Sequence, residues 1–248
     1  MIFLFLILVG FFAGVANSVV GGGQFLTFPA FVFAGLPAVI ANTTSSVAVF
    51  PGVVTGAYAW RHDLARLGQE IDMKLAIGAT LLGSLTGALL LTHTPESLFN
   101  FIVPWLLLFG TVLFAAGNRF NALLRRRLRL GTRTFVVLQF VVGIYGGYFG
   151  AGISILMLAL MGLYGLTDIH AMTGLRTVLS SCANGIAVVT FVAEGKVDWP
   201  GALLMMTGAI AGGYAGAVVA KRISPKLLRP IVILVAGAMT AYFFARQA

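Results

Sequence analysis

Three polar residues in the second half of the chain are spaced to share one face of an apolar helix. Arg176, Ser180 and Asn184 follow one another at intervals of four residues within the segment AMTGLRTVLSSCANGIAVV. Residues four apart lie above one another on an α-helix. The arginine guanidinium is a planar fork of donors that matches oxyanions and keeps its charge. We therefore predict that this face binds a small anion.

Two other roles for Arg176 are open at this stage. The residue lies eight positions beyond Asp168, or about 12 Å of helix at roughly 1.5 Å per residue, so its side chain could extend to the membrane interface. It could also pair with Asp168 or with the polar groups of the first half. Asp168 stands at the entrance of the segment, where an aspartate is a good helix N-cap.

The first half contributes further polar residues within apolar sequence. Asn17 and Gln24 flank the run Gly21-Gly22-Gly23, and five polar residues follow at 42–46. A helix that restarts after such glycines points bare N–H groups and its positive end at the break. Polar groups are costly inside a membrane, so the predicted substrate-binding residues of this half are Asn17, Gln24, Thr43 and Ser45. The alternative is that the hydroxyl groups bond to the preceding turn or to a neighbouring helix.

The composition places these residues in a membrane protein. Hydrophobic residues make up 59% of the 248 residues and charged residues 9%, whereas soluble proteins have roughly 25% charged residues. A soluble enzyme and a disordered chain are both excluded. We predict an all-α polytopic membrane protein with eight to ten membrane segments.

Two of the ten apolar segments are too short to cross a hydrocarbon core about 30 Å thick. They span 23–36 and 152–165, and each follows a glycine-rich break. We interpret them as glycine-broken or re-entrant helices, which are tolerated only where protein or a cavity shields the backbone. The residues expected to supply the helix-break backbone are Gly21, Gly22, Gly23, Gly150 and Gly152.

The two halves match each other at a constant offset of 129–130 residues. GGGQFLTFPA at 21–30 aligns with GAGISILMLA at 150–159, and the glycine pair 83/87 aligns with the pair 212/216. We therefore predict a first repeat at 1–117, a basic cytoplasmic connecting loop at 118–133 and a second repeat at 134–248. Inverted repeats with paired broken helices are typical of secondary transporters, whose substrate sites lie where the breaks meet.

Basic residues predict the orientation in the membrane. Six arginines lie between 119 and 133 with no acid among them, which assigns this loop to the cytoplasm. Crossing the membrane at each segment then makes the repeats inverted and both termini periplasmic. The net charge of +9 does not indicate nucleic-acid binding, because the basic clusters follow apolar segments and the loops are too short for a reading domain.

The residue types indicate binding rather than catalysis. Cys182 is the only cysteine, and the three histidines are scattered, so no spacing of metal ligands exists. No Ser/His/Asp arrangement or pair of intramembrane carboxylates supports an enzyme. We expect no catalytic residue, metal or cofactor. The expected partners are a small anionic substrate and membrane lipids, and a homo-oligomer is left open.

Long stretches of both halves resemble a known family. GFFAGVANSVVGGGQFLTFPAFVFAGLPAVIANTTSSVAVFPGVVTGAYAW resembles the opening repeat of the TauE/SafE family of sulfite and organosulfonate transporters. AMTGLRTVLSSCANGIAVVTFVAEGKVDW is similar to its second repeat. The resemblance implies a transporter of the bacterial inner membrane that moves sulfite or an organosulfonate. We expect the seven predicted substrate residues to line a midplane anion site that works by alternating access. An anion channel and a carrier for a non-sulfur organic anion are the alternatives.

Overall fold

The computed structural model describes residues 2–19, 21–59, 71–124, 130–219 and 225–247, which form ten α-helices. They are α1 (Ile2–Val19), α2 (Gln24–Phe33), α3 (Ala38–Ala59), α4 (Met73–His93), α5 (Glu96–Leu124), α6 (Thr132–Tyr148), α7 (Ile153–Tyr164), α8 (Ile169–Ala193), α9 (Trp199–Val219) and α10 (Pro225–Gln247). The prediction of an all-α chain is confirmed. The two helices that follow the glycine-rich breaks, α2 and α7, are also the shortest of the ten.

The apolar outer surface and the helix lengths are those of a multi-pass membrane protein. Among the described residues, four helices contain stretches long and apolar enough to cross a membrane: Ala38–Thr55, Met73–His93, Glu96–Ala116 and Ala171–Ala193. Large apolar side chains face outward, from Phe101 at 62% exposure to Leu234 at 72%. A water-soluble surface rarely carries so many of them. The number of segments that cross the membrane stays a prediction.

Helix α5 is longer than its apolar segment. It continues to Leu124, so the first part of the predicted connecting loop at 118–133 is helical. Hydropathy indicates where a chain leaves the hydrocarbon, whereas a helix continues for as long as its residues favour the conformation, as leucine and arginine do. Residues 125–129 of the loop lie outside the described residues, and its cytoplasmic position stays a prediction.

Corresponding helices of the two halves have corresponding neighbours. α1 packs along α9 as α6 packs along α4, and α3 lies against α9 as α8 lies against α4. The pair α3 and α8 joins the two halves in the middle. This matching supports the duplication inferred from the sequence, while the opposite orientation of the repeats stays a prediction.

Glycines allow the closest helix crossings. On α4, a β-carbon at Gly83 would overlap the carbonyl oxygen of Phe140, and one at Gly87 would overlap that of Ile144. Gly208 and Gly212 of α9 are in the same relation to backbone carbonyls of α1. Small residues let membrane helices approach until their backbones touch, so these four glycines hold the interlocked pairs α4/α6 and α1/α9 together.

Helix α2 is enclosed by protein over most of its length, although Phe33 at its end is exposed. Phe25, Phe28 and Phe31 are at most 1% exposed, and the ring of Phe28 lies 5.8 Å from those of both Phe149 and Phe243. At about 1.5 Å per residue this ten-residue helix is only half the thickness of a bilayer core. The surrounding side chains supply the shielding that a helix ending within the membrane requires.

Candidate functional site

The breaks before the two short helices contain glycines with backbone conformations that other residues rarely adopt. Gly21 has a φ of +76°, while Gly150 and Gly152 have φ values of +80° and +82°. Only glycine reaches these values without steric cost. The N-caps of α2 and α7 are Gly23 and Gly152, which have no side chain with which to cap the first N–H groups. The start of each short helix is therefore a positive dipole end.

A cavity of about 120 Å³ lies where the two breaks meet. Its walls are the end of α1, the starts of α2 and α7, and one face each of α3 and α8. A single water molecule needs roughly 10–15 Å³ of cavity volume, so the cavity has room for a small ion. Both halves of the chain contribute to it.

The cavity brings together most of the residues that the sequence singled out. Five of the seven predicted substrate residues line it: Asn17, Gln24, Arg176, Ser180 and Asn184. Three of the five break glycines line it as well: Gly21, Gly150 and Gly152. The remaining four predicted residues do not line the cavity: Thr43, Ser45, Gly22 and Gly23.

Arg176 is the one cation among the described residues of the wall, which contain no carboxylate. Its Nε atom is buried without an acceptor in the described part of the chain. Asp168 lies exposed instead, and its carboxylate accepts a hydrogen bond from the N–H of Ala171 at 3.2 Å, as an N-cap does. A guanidinium whose Nε is buried without an acceptor carries a desolvation cost, which a bound anion would relieve.

Three further polar side chains of the wall have no hydrogen-bond partner among the described residues: Asn17, Ser154 and Asn184. Ser180 also lines the cavity, but its hydroxyl lies 3.4 Å from the sulfur of Met157, which is a weak acceptor. Together with Arg176, these groups can all donate hydrogen bonds to an oxyanion. The wall is therefore better suited to a small anion than to a cation.

Gln24 lines the cavity, but its amide donors are already used. Its Nε2 lies 2.6 Å from the carbonyl oxygen of Phe149, 3.0 Å from Oδ1 of Asn42 and 3.2 Å from the hydroxyl of Ser46. An amide nitrogen has only two hydrogens to donate. The arrangement thus leaves no free Gln24 donor for a ligand.

The polar run of α3 contacts several different elements. Thr43 donates to the carbonyl oxygen of Lys196, and Thr44 accepts from the N–H of Asp198 at 3.0 Å. The hydroxyl of Ser45 pairs with that of Thr27 on α2. Consecutive helical residues point about 100° apart, so five of them encircle the helix and cannot all face one site. Most of the run joins α3 to its neighbours.

The sequence reasoning missed four polar residues of the wall: Ser18, Ser154, Thr173 and Thr177. Signals for three of them were present. Thr173 and Thr177 share the helix face of Ser180 and Asn184 at spacings of three and four residues. Ser154 is a polar residue in the first turn of α7, one position beyond the residue that corresponds to Gln24 of α2.

Comparison with known proteins yields one family. The model of the sulfite exporter TauE/SafE family matches residues 6–243. The probable membrane transporter protein YfcA of Escherichia coli K12 is 29% identical over 238 residues, with 95% of this chain and 87% of the relative covered. A probable membrane transporter protein of Haemophilus influenzae is 28% identical over 236 residues, with coverages of 94% and 91%. The probable membrane transporter protein ORF9 of a Sinorhizobium species is 30% identical over 245 residues, with coverages of 97% and 92%. No solved structure matches the chain.

Proposed function

The chain belongs to the sulfite exporter TauE/SafE family, and from this premise we propose that it is a secondary transporter for a small sulfur oxyanion, either sulfite or an organosulfonate. The observation that carries the proposal is Arg176, a guanidinium that faces a cavity between two helix breaks and has no ion-pair partner among the described residues. The cavity is the substrate site of this proposal.

The donors of the wall favour an anion with three oxygens. The planar fork of Arg176 binds two oxygens side by side. Asn17, Ser154 and Asn184 offer the third oxygen amide and hydroxyl donors, and the start of α7 adds its positive end. A carboxylate has only two oxygens and would leave some of these cavity-lining donors without an anion oxygen as acceptor, which costs affinity.

The division of the cavity wall between the two halves of the chain supports the proposal of transport by alternating access. α1, α2 and α3 form one side and α7 and α8 the other, so a rocking of one repeat against the other would open the cavity to each side in turn. The described wall contains no carboxylate for proton coupling. An inside-negative potential favours expulsion of an anion by about 2.3 kcal/mol per charge per 100 mV. We therefore propose potential-driven export across the bacterial inner membrane, with both termini periplasmic.

Thermal stabilisation of the purified protein tests the site. We expect sulfite, kept anaerobic, or 2-hydroxyethanesulfonate to raise the melting temperature of the wild type, because a ligand that binds only the folded state stabilises it by mass action. The Arg176→Ala variant should lose this response. Arg133→Ala removes an exposed positive charge and should keep it. Stabilisation by choline but by no anion would refute the proposal.

Flux into proteoliposomes tests the transport mode. Uptake of ³⁵S-labelled sulfite should saturate with concentration and respond to an imposed membrane potential. Unsaturable flux would identify an anion channel. Saturable uptake of acetate in preference to sulfite and the sulfonate would identify a carrier for a non-sulfur organic anion.

A further inference from the structure

Side chains from three helices donate hydrogen bonds to carbonyl oxygens of the α6–α7 break. The amide of Asn42 donates to the carbonyl oxygen of residue 148 at 3.1 Å, and that of Gln24 donates to the carbonyl oxygen of residue 149 at 2.6 Å. The hydroxyl of Tyr145 donates to the carbonyl oxygen of Ala151 at 2.6 Å. Two of the three donors belong to the first half of the chain and one to the second.

Backbone N–H groups take up the two remaining carbonyls of the break. The N–H of Ile153 donates to the carbonyl oxygen of Gly150 at 3.2 Å, and that of Ile155 donates to the carbonyl oxygen of Gly152 at 3.0 Å. All five consecutive carbonyls from 148 to 152 therefore accept a hydrogen bond within the protein. A carbonyl oxygen turned towards the cavity would repel an anion, and here each one is held by a donor.

Gly150 permits the close approach of Gln24. A β-carbon at Gly150 would lie 2.6 Å from Oε1 of Gln24 and 3.1 Å from the carbonyl oxygen of Gly146. Gln24 itself is only 7% exposed. The absence of a side chain at this position is thus needed both for the left-handed φ and for the amide that crosses from α2.

The corresponding positions around the first break contain no such donors. With the offset of 129–130 residues, Gln24 corresponds to Ile153, Asn42 to Met172 and Tyr145 to Ala16. None of these three counterpart side chains has an N–H or O–H group. We call the three side-chain donors Gln24, Asn42 and Tyr145 the clamp. The clamp is found at the α6–α7 break, and the matching positions of the first half have no side-chain donors.

We propose that Gln24, Asn42 and Tyr145 are positioning residues for the anion site. They hold the carbonyls of residues 148, 149 and 151 in hydrogen bonds within the protein, so that the positive dipole end of α7, and not a free carbonyl oxygen, lies beside Arg176 at the anion site. This inference rests on the proposed function and deepens it, because it assigns the anion selectivity of the cavity partly to a clamped backbone. Gln24, which the sequence predicted to bind substrate, acts in this proposal through the backbone.

Two variants test the clamp by separating affinity from folding. Gln24→Met and Tyr145→Phe remove the donors and retain side chains of similar size. In sulfite uptake by proteoliposomes, each variant should raise the KM roughly threefold to tenfold, the cost of one net hydrogen bond. The Vmax per folded protein should stay within about twofold of the wild type.

Matched controls remove hydroxyl groups elsewhere, one on the helix of Gln24 and one on the helix that follows the α6–α7 break. Thr27→Val on α2 removes a hydroxyl that pairs with Ser45, and Tyr164→Phe on α7 removes a hydroxyl near that of Thr132. Both controls should keep the wild-type KM. The melting temperature of Thr27→Val also shows how far the loss of a buried hydroxyl alone lowers stability.

The outcomes separate this inference from the proposed function. If the wild type takes up sulfite, Arg176→Ala does not, and both clamp variants keep the wild-type KM, the clamp is refuted and the transport function stands. A fall in melting temperature or Vmax with an unchanged KM would show a purely structural role and also refute the clamp. If the wild type neither binds nor moves any anion, both proposals fail. Should Gln24→Met not fold, Tyr145→Phe, which lacks a single oxygen atom, decides alone.

Discussion

The Nη1 atom of Arg176 lies 3.3 Å from the position that a β-carbon would occupy at Gly21, so the cation of one half sits against the helix break of the other. The side chain therefore extends towards the centre of the protein rather than along its own helix to Asp168. This geometry favours a place beside the first-half break over extension to the membrane interface and over pairing with Asp168.

A side chain at Gly21 should disturb the site directly. The β-carbon of Gly21→Ala would lie 3.0 Å from the hydroxyl of Ser154 and 3.3 Å from Arg176, and the left-handed φ adds strain of about 1 kcal/mol. We expect a lower melting temperature and at least about threefold weaker sulfite binding, measured by titrating thermal stability. Gly35→Ala has the same strain, with a φ of +94° but open space around it, and should lose stability only. Equal affinity in the two variants would contradict the placement of the site.

Removal of the unpaired charge should separate binding from stability. Arg176→Met deletes a guanidinium whose buried Nε has no acceptor in the described part of the chain. Without anion, the melting temperature should stay level or rise, because the desolvation cost disappears. Arg176→Lys retains a charge without the planar fork and should bind sulfite about tenfold more weakly. A marked loss of anion-free stability in Arg176→Met would mean that the guanidinium has a structural partner.

Replacing a glycine of α4 by alanine should lower stability at the crossing with α6 and raise it where the helix has open space. A β-carbon at Gly87 would overlap the carbonyl oxygen of Ile144 and lie 2.8 Å from the nitrogen of Tyr148. Gly87→Ala should cost about 1–3 kcal/mol as overpacking. Gly78 is on the same helix with open space around it, so Gly78→Ala should gain up to about 1 kcal/mol of helix propensity. Melting temperatures that move in the same direction would argue against this crossing.

Substitution of Ser45 should affect stability, whereas substitution of Asn184 should affect the KM for sulfite. Ser45 pairs with Thr27 outside the cavity wall, so Ser45→Ala should lower the free energy of unfolding by about 1 kcal/mol and leave the KM for sulfite unchanged. Asn184 lines the cavity and has no partner among the described residues, so Asn184→Ala should raise the KM and leave stability nearly unchanged. The reverse pattern would restore Ser45 to the substrate site.

The sequence alone determined the helices, the breaks and the helix face that bears Arg176. Each of these depends on neighbours close in the chain. Hydropathy over some 20 residues predicts a membrane helix, consecutive glycines predict a break, and a spacing of four residues places Arg176, Ser180 and Asn184 together on any α-helix. These features could therefore be predicted before any tertiary contact was known.

Only the tertiary structure decided which polar side chains remain free to meet a ligand. Gln24 and Asn17 look equivalent in sequence, since both flank the same glycines. The amide of Gln24 nevertheless donates a hydrogen bond to the carbonyl oxygen of Phe149, 125 positions away, whereas Asn17 has no partner among the described residues. The hydroxyl of Thr43 likewise donates to the carbonyl oxygen of Lys196, 153 positions away. A buried donor must be satisfied by whatever acceptor the packing brings to it, and no local pattern specifies which distant backbone that will be.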